Sequence, residues 1–527
     1  MTDSATPERQ RSTPAFLVAS GIFLSRLAGL VRDRVFAHYF GNSDSADAFR
    51  AAFRIPNFLQ NLFGEGVLSA SFIPVYANLL AHEAREEAGR VAGAIASLLA
   101  LLTSLLVLIG VAITPWLIAV IAPGFGGDKR ELTVVLVRIL FPGAGLLVFS
   151  AWCLGILNSH RKFFVSYVAP VIWNAAIVAT LILFGRHSSQ PELAVKVAWG
   201  SVAGSGLQFL VQVPLVLRLV PHLHFGLAMG AESVRTVVRN FVPVFISRGV
   251  VQISAYIDSL IASFLPTGAV AALAYAQTIY TLPVSLFGMS VSAAELPAMS
   301  SALGTEEEIG AQLRDRLSRG SRQISFLVIP SVAAFLVLGD VVAAAIYQSG
   351  RFTHDDAIYV WAVLAGSTVG LLASTLGRLY SSAFYALRDT RTPLKFASLR
   401  VFLTLILGYF CALPLPRMLH IDPRWGVAGL TASAGIAGWV EFALLRSRLG
   451  QRIGRAPISL EFLAKVWSSA LISAGVGYLL KIRLTFLHPI PLALVVLGVY
   501  GITFFALAAM LRVPEVSGSF RRFLRRK

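Results

Sequence analysis

The stretch FLVASGIFLSRLAGLVRDR, residues 16–34, decides what kind of fold this chain can adopt. It opens as an unbroken apolar run and closes on Arg26, Arg32, Asp33 and Arg34. Similar runs of roughly 18 to 25 residues recur along the whole chain, each long enough to cross about 30 Å of hydrocarbon. Lipid offers the backbone no hydrogen-bond partner, so each crossing must be a helix. A membrane barrel would show alternating segments of about ten residues instead, and the sequence has none. Composition agrees. The 527 residues are 56% hydrophobic and only 14% charged, with a mean hydropathy of +0.72, whereas a soluble domain carries about 25% charged residues. The chain therefore reads as all-α, a polytopic integral membrane protein.

Hydropathy places about fourteen spans along the chain. The second (44–80), eighth (269–302) and tenth (357–386) are long and interrupted by polar residues, as helices that line a cavity are. Loop charges set the orientation. Arg85, Arg90, Arg161, Lys162, Arg314, Arg388 and Arg448 join both tails on one side, while Lys129, Arg130, Arg186, Lys196 and Lys481 lie on the other. The bias is about three to one and places both termini in the cytoplasm. Residues 305–323 read as a short amphipathic surface helix. The basic end of the chain, RRFLRRK, reads as a contact with anionic membrane lipids.

The net charge of +18 does not signal nucleic acid, because no basic soluble domain is present to carry it. The positive-inside bias accounts for it, and an anionic cargo is compatible with it. Cys153 and Cys411 sit in apolar runs and form no disulfide or metal pattern. The chain contains no G-x-x-x-x-G-K-[ST], no H-E-x-x-H and no G-x-S-x-G, and no acids or nucleophiles group at one membrane face. These absences point away from an enzyme and towards a secondary transporter that needs no catalytic residue, cofactor or resident metal.

Ionisable residues inside spans are costly and mark function or interhelical pairs. In the first span Ser25, Ala28, Gly29 and Arg32 fall on one helical face, which is small except for Arg32, so backbone or cargo can come close. Asp33 can pair directly with a charge on a neighbouring helix. In the second span, SADAFRAAFRIPNFLQNLFGEG (45–66), Asp47, Arg50, Arg54 and Asn61 form one polar stripe, and Pro56 with Gly64 and Gly66 predicts bending or unwinding. Arg26, Arg32, Arg34, Arg50 and Arg54 outnumber Asp33, Asp47 and Glu65 in this region. Arginine's planar fork matches phosphate oxygens, so the excess suits a phosphate-bearing cargo. Arg248 and Asp258 interrupt the seventh span (238–263) on nearly one face. Asp258 is either the partner of Arg248 or an ion-coupling carboxylate. Glu295, Asp340, Arg378 and Glu441 stand alone and read as structural pairs or span ends.

At these residues the chain resembles the MurJ (MviN) family of lipid II flippases, in the multidrug/oligosaccharidyl-lipid/polysaccharide exporter superfamily. The likeness is densest in SRLAGLVRD (25–33) and ADAFRAAFRIPNFLQNLFGEGVLSASFIPVY (46–76). It continues through FPGAGLLVFSAWCLGILNSHRKF (141–163), QISAYIDSLIASFL (252–265), YAQTIYTLPVSLFGMSVSAAELPAMS (275–300) and FYALRDTRTPLK (384–395).

The resemblance implies two six-helix lobes, at 15–218 and 219–447, and two further helices at 448–511 that form a lipid-tail groove. Tails at 1–14 and 512–527 would be cytoplasmic. It implies outward movement of the undecaprenyl-pyrophosphate-linked precursor of peptidoglycan across the bacterial inner membrane by alternating access, with a cationic cavity for the pyrophosphate and cell-wall synthesis machinery as a partner. By position, Ser25, Arg26, Arg32, Asp47, Arg54, Asn57 and Glu65 match the family pattern. Two departures stand out. Gln60 or Asn61 replaces a family arginine, and Gln277 and Thr278 replace an Asp-Arg pair. Arg34, Arg50 and Arg248 lie outside the pattern, and the expectation is that they restore the lost charge. Coupling would use Na+ at Asp258 or the membrane potential. The rival readings are a flippase for another polyprenyl-pyrophosphate-linked glycan, such as an O-antigen or exopolysaccharide unit, and a transport-weak paralogue acting as a membrane scaffold.

Overall fold

The computed structural model describes residues 8–228, 230–254, 256–301, 305–454 and 457–516. Among them no strand forms, and a single isolated bridge joins Ser349 to Phe352. The chain is a polytopic all-α membrane protein. It divides into two compact units, Met1–Leu260 and Ile261–Lys527.

The first unit contains α1 (Glu8–Phe40), α2 (Asp44–Gln60), a π-helical stretch (Asn61–Leu68), α3 (Ser69–Ala81), α4 (Arg85–Ala112), α5 (Thr114–Ile121), α6 (Gly127–Ser159), α7 (Phe163–Phe184), α8 (Gln190–Leu219) and α9 (Glu232–Ser254). The short α10 (Ile257–Ala262) carries the chain onward. The second unit contains α11 (Ala269–Pro283), a second π-helical stretch (Val284–Met289), α12 (Ser290–Ser300), α13 (Glu306–Tyr347), α14 (His354–Thr368), α15 (Leu371–Ala386), α16 (Arg391–Ala412), α17 (Pro414–Met418), α18 (Gly426–Ile453), α19 (Leu460–Arg483) and α20 (Pro489–Met510). Eleven helices or helix runs among the described residues are long and apolar enough to cross a membrane. The first, second and seventh predicted spans fall on α1, on α2 with α3, and on α9 with α10.

Local chemistry explains several boundaries. Ser43 accepts the amide hydrogen of Ala46 and caps α2, and Asp44 and Asp47 occupy its first turn, where carboxylates suit the positive end of the helix dipole. Thr305 with Glu308 and Thr353 with Asp356 form capping boxes that open α13 and α14. The surface helix expected at 305–323 is instead the first third of α13, which runs unbroken for 42 residues. Nothing in that segment breaks a helix, so the charged start and the apolar span share one rod.

The bend expected near Gly64 and Gly66 takes the form of a π-helix that keeps the segment helical. The second unit repeats the device. Leu62-Phe63-Gly64 sits in one π-helical stretch and Leu286-Phe287-Gly288 in the other, followed by Val67 and Val291 at the same offset. A π turn leaves one residue out of register and is a common mark of a functional bend. The pairing is an internal repeat that hydropathy alone did not disclose.

In the first unit, Phe63, Phe72, Tyr76, Trp152 and Ile156 form part of a continuous buried cluster. Phe241 and Phe245 of α9 pack on Phe63, with ring centres 5.9 and 5.6 Å away. Those contacts draw α9 into the first unit, so the division falls at Leu260, later than the 218/219 change of lobe read from the sequence. In the second unit, α14, α15 and α18 meet closely at Gly370 and Gly435. A Cβ on Gly370 would lie 2.5 Å from the Gly435 Cα, a contact that only glycine permits. The two last helices, α19 and α20, pack on α13. Lys481 pairs with Asp340, and the Tyr500 hydroxyl donates to the Pro330 carbonyl at 2.7 Å.

Candidate functional site

The turn at 41–43 joins α1 to α2. Gly41 takes a positive φ of 57° there, and its amide bonds to the Ala37 carbonyl at 2.8 Å. Long side chains bridge the two helices, Phe36 to Phe49, Asp33 to Arg50 and Arg32 to Phe53. The aromatic rings run on as a ladder. Phe49 stacks on Phe53 at 5.3 Å, and Phe53 stacks on Trp173 of α7 at 5.3 Å.

Asp33 is the hub. Its Oδ1 accepts from Arg32 Nη2 at 3.0 Å, from Arg32 Nε at 3.2 Å and from Arg50 Nη1 at 3.1 Å. Both guanidiniums also rest on aromatic faces, Arg50 4.5 Å from the centre of Phe36 and Arg32 5.3 Å from that of Phe53, which offsets part of their desolvation. Two guanidiniums thus share the Asp33 carboxylate within the helices. The Arg32 side chain keeps 17% of its surface exposed, while Arg50 keeps 9% and Asp33 4%. Arg32 is the member of the trio best placed to meet a ligand.

The stripe read along α2 separates into three attachments. Asp47, fully buried, pairs with Lys129 of α6 at 2.6 Å, and Lys129 also reaches Asp44 at 3.0 Å. Arg50 turns to α1. Arg54 lies over the Tyr256 ring at 5.6 Å, and the Tyr256 hydroxyl donates to the Arg54 backbone carbonyl at 2.9 Å. Asp47 and Arg50 are therefore structural partners of other helices as well as candidate cargo residues. Asp258 is half-buried at the start of α10, and its charge acts on Arg54. Its expected pairing with Arg248 concerns a side chain outside the described residues, as is that of Glu65. Ser25, Asn57 and Gln60 are half-buried and Arg26 is exposed. Thr278 belongs to the second unit, where its hydroxyl bonds back to the Ala274 carbonyl at 3.2 Å.

Three residues of this site were not singled out in the sequence: Lys129, Tyr256 and Trp173. Lys129 was assigned to a loop, Tyr256 lies two residues before Asp258 without a charge of its own, and Trp173 sits in an unremarkable apolar run. None has a local pattern that announces its partner.

At the other end of the first unit, Tyr76 Oη and His160 Nε2 lie 3.0 Å apart. His160 occupies the turn after α6. Burial, together with the positive charges of Arg85 and Lys162, holds its imidazole below the ordinary 6.5.

The family profile described as "Lipid II flippase MurJ" matches residues 36–497. A Burkholderia cenocepacia protein named "Lipid II flippase MurJ" is 30% identical, over 88% of this chain and 88% of its own length. A Haemophilus influenzae protein named "Probable lipid II flippase MurJ" is 31% identical, over 71% of this chain and 75% of its own. Among solved structures, the fold is similar to one described as "Lipid II flippase MurJ, inward closed conformation". The TM-score is 0.77 at 24% identity, covering 94% of this chain and 98% of the other. An inward-facing multidrug resistance MATE family transporter of the MOP superfamily also shares the fold, with a TM-score of 0.64 at 17% identity, covering 83% of this chain and 98% of the other.

Proposed function

The chain belongs to the lipid II flippase MurJ family, and from that premise we propose that Arg32, Arg50 and Arg54 receive the pyrophosphate of lipid II as the lipid crosses the membrane. The protein flips this lipid-linked peptidoglycan precursor by alternating access. No bond in the cargo is made or broken, so the work of the protein is to stabilise a charged headgroup away from water. The observation that carries the reading is the trio of Arg32, Asp33 and Arg50, two guanidiniums sharing one buried carboxylate. Asp33 holds both side chains in place. The planar guanidinium forks suit phosphate oxygens, which accept bidentate hydrogen bonds. Ser25, Arg26, Asn57 and Gln60 belong to the same helices and complete the proposed lining.

The proposed setting is the bacterial inner membrane with both termini cytoplasmic, as the loop charges require. Coupling to Na+ at Asp258 is part of this proposal, and the carboxylate also acts electrostatically on Arg54. The membrane potential, worth about 2.3 kcal/mol per charge per 100 mV, supplies the drive for resetting a cationic site that has released its anion.

The test is rescue of a bacterium depleted of its own lipid II flippase. The parent is expected to restore growth and surface-exposed lipid II, and Arg32→Ala and Arg54→Ala to abolish both. A well-expressed parent that restores neither would refute lipid II as the cargo.

A further inference from the structure

The second unit contains a cationic cluster that the family resemblance does not supply. Tyr280 on α11 shares a hydrogen bond with Ser374 on α15, the two oxygens 3.0 Å apart. Arg378 stands one turn beyond Ser374 on the same helix, and Arg400 comes from α16. Both guanidiniums lie close enough to act electrostatically on the Tyr280 hydroxyl. Arg400 donates to Glu441 of α18 at 3.0 Å, with 46% of its own side chain exposed. Arg378 is exposed, and among the described residues no acidic side chain lies within ion-pair distance of it. The other charged residues that had looked isolated are paired, Glu295 with Arg316 and Asp340 with Lys481.

An arginine in the apolar run GLLASTLGRLYSSAF (370–384) is costly unless it faces water or an anion. Room exists beside it. Gly377 is buried, yet a Cβ built there would meet no atom within 4 Å, and the same holds for Gly438, one turn before Glu441. On α11 the exposed Gln277 and the half-buried Thr281 flank Tyr280 on one polar face.

We infer that Arg378 and Arg400, beside the Tyr280–Ser374 pair, form an anion-binding subsite of the second unit that takes a phosphate or carboxylate group of the cargo. Two guanidiniums against Glu441 leave one positive charge in excess, and their planar forks suit an anion's free oxygens. The subsite places cationic donors on the unit whose α11 carries Gln277 and Thr278 in place of an Asp-Arg pair. The inference rests on the lipid II reading for the identity of the cargo, which carries both a pyrophosphate and peptide carboxylates, and not for the existence of the cationic cluster.

The test measures binding to the purified full-length protein in lipid nanodiscs, with lipid II and with undecaprenyl pyrophosphate lacking sugar and peptide. The variants are Arg378→Gln, Arg378→Lys and the pair Arg400→Gln with Glu441→Gln, which avoids an orphaned carboxylate. Thermal unfolding confirms that each is folded. Loss of one charge-assisted contact should weaken binding about tenfold, with Arg378→Lys retaining most of the affinity. An equal loss for both lipids assigns the subsite to pyrophosphate, and a loss for lipid II alone assigns it to peptide carboxylates. Unchanged binding of both lipids in folded Arg378→Gln overturns the subsite and leaves the lipid II reading standing. A parent that binds undecaprenyl pyrophosphate but not lipid II overturns that reading, while weaker binding in Arg378→Gln would still support the subsite. A parent that binds neither lipid overturns both.

Discussion

Arg50 Nη1 donates to Asp33 Oδ1 at 3.1 Å, and this bond crosses from the second helix to the first, with Arg32 on the same oxygen. The carboxylate is the only group in the trio that keeps two guanidiniums from repelling each other. Its removal leaves both charges buried against aromatic rings.

Asp33→Asn should therefore cost about 3–5 kcal/mol, the range for breaking a buried ion pair, and should abolish transport. Pairing it with Arg50→Met removes one of the stranded charges and should recover most of the stability but not the transport. Thermal unfolding in detergent and the depletion rescue read the two effects separately.

Tyr256 holds Arg54 by ring and hydroxyl together. Tyr256→Phe deletes only the bond to the Arg54 carbonyl and should cost about 1 kcal/mol with transport largely kept. Tyr256→Leu also removes the aromatic platform and should lower transport further. Rescue efficiency at matched expression distinguishes a positioning role from simple loss of stability.

Gly370→Ala places a Cβ 2.5 Å from the Gly435 Cα. The backbones must separate, and overpacking of this kind costs about 1–3 kcal/mol. The expected outcome is a lower unfolding temperature for Gly370→Ala, with Gly377→Ala, which meets no atom within 4 Å, close to the parent.

His160 makes stability pH-dependent. Its folded-state value lies below the ordinary 6.5, so the unfolded chain takes up the proton first and stability falls as pH drops below about 6.5. His160→Gln removes this dependence. The stability advantage of the parent over His160→Gln should shrink between pH 7.5 and 5.5, as followed by thermal unfolding, and should be largest on the alkaline side.

Much of the site could be read as a list of residues but not as a set of contacts. Arg32, Asp33, Arg50 and Arg54 stood out because charge is rare in apolar helices, and Pro56 with the nearby glycines marked the place where the helix departs from α geometry. The stripe along α2 suggested one shared surface, whereas Asp47, Arg50 and Arg54 each face a different partner. Glu295, Asp340 and Glu441 looked isolated because Arg316, Lys481 and Arg400 are distant in sequence. Arg378 looked the same and differs in having no acidic partner among the described residues.

The order of residues alone shows that the chain is a bundle of membrane helices carrying an excess of arginine. Insertion into lipid depends on the summed hydropathy of a contiguous segment, and that sum is present in the order of residues. Which cation meets which anion is set by the packing of the folded chain, because Asp33 and Arg50 lie 17 positions apart and Asp47 and Lys129 lie 82 apart. Within a helix, neighbours repeat every three to four residues. Between helices, the partner is chosen by the turn that aligns them and by the packing that buries them.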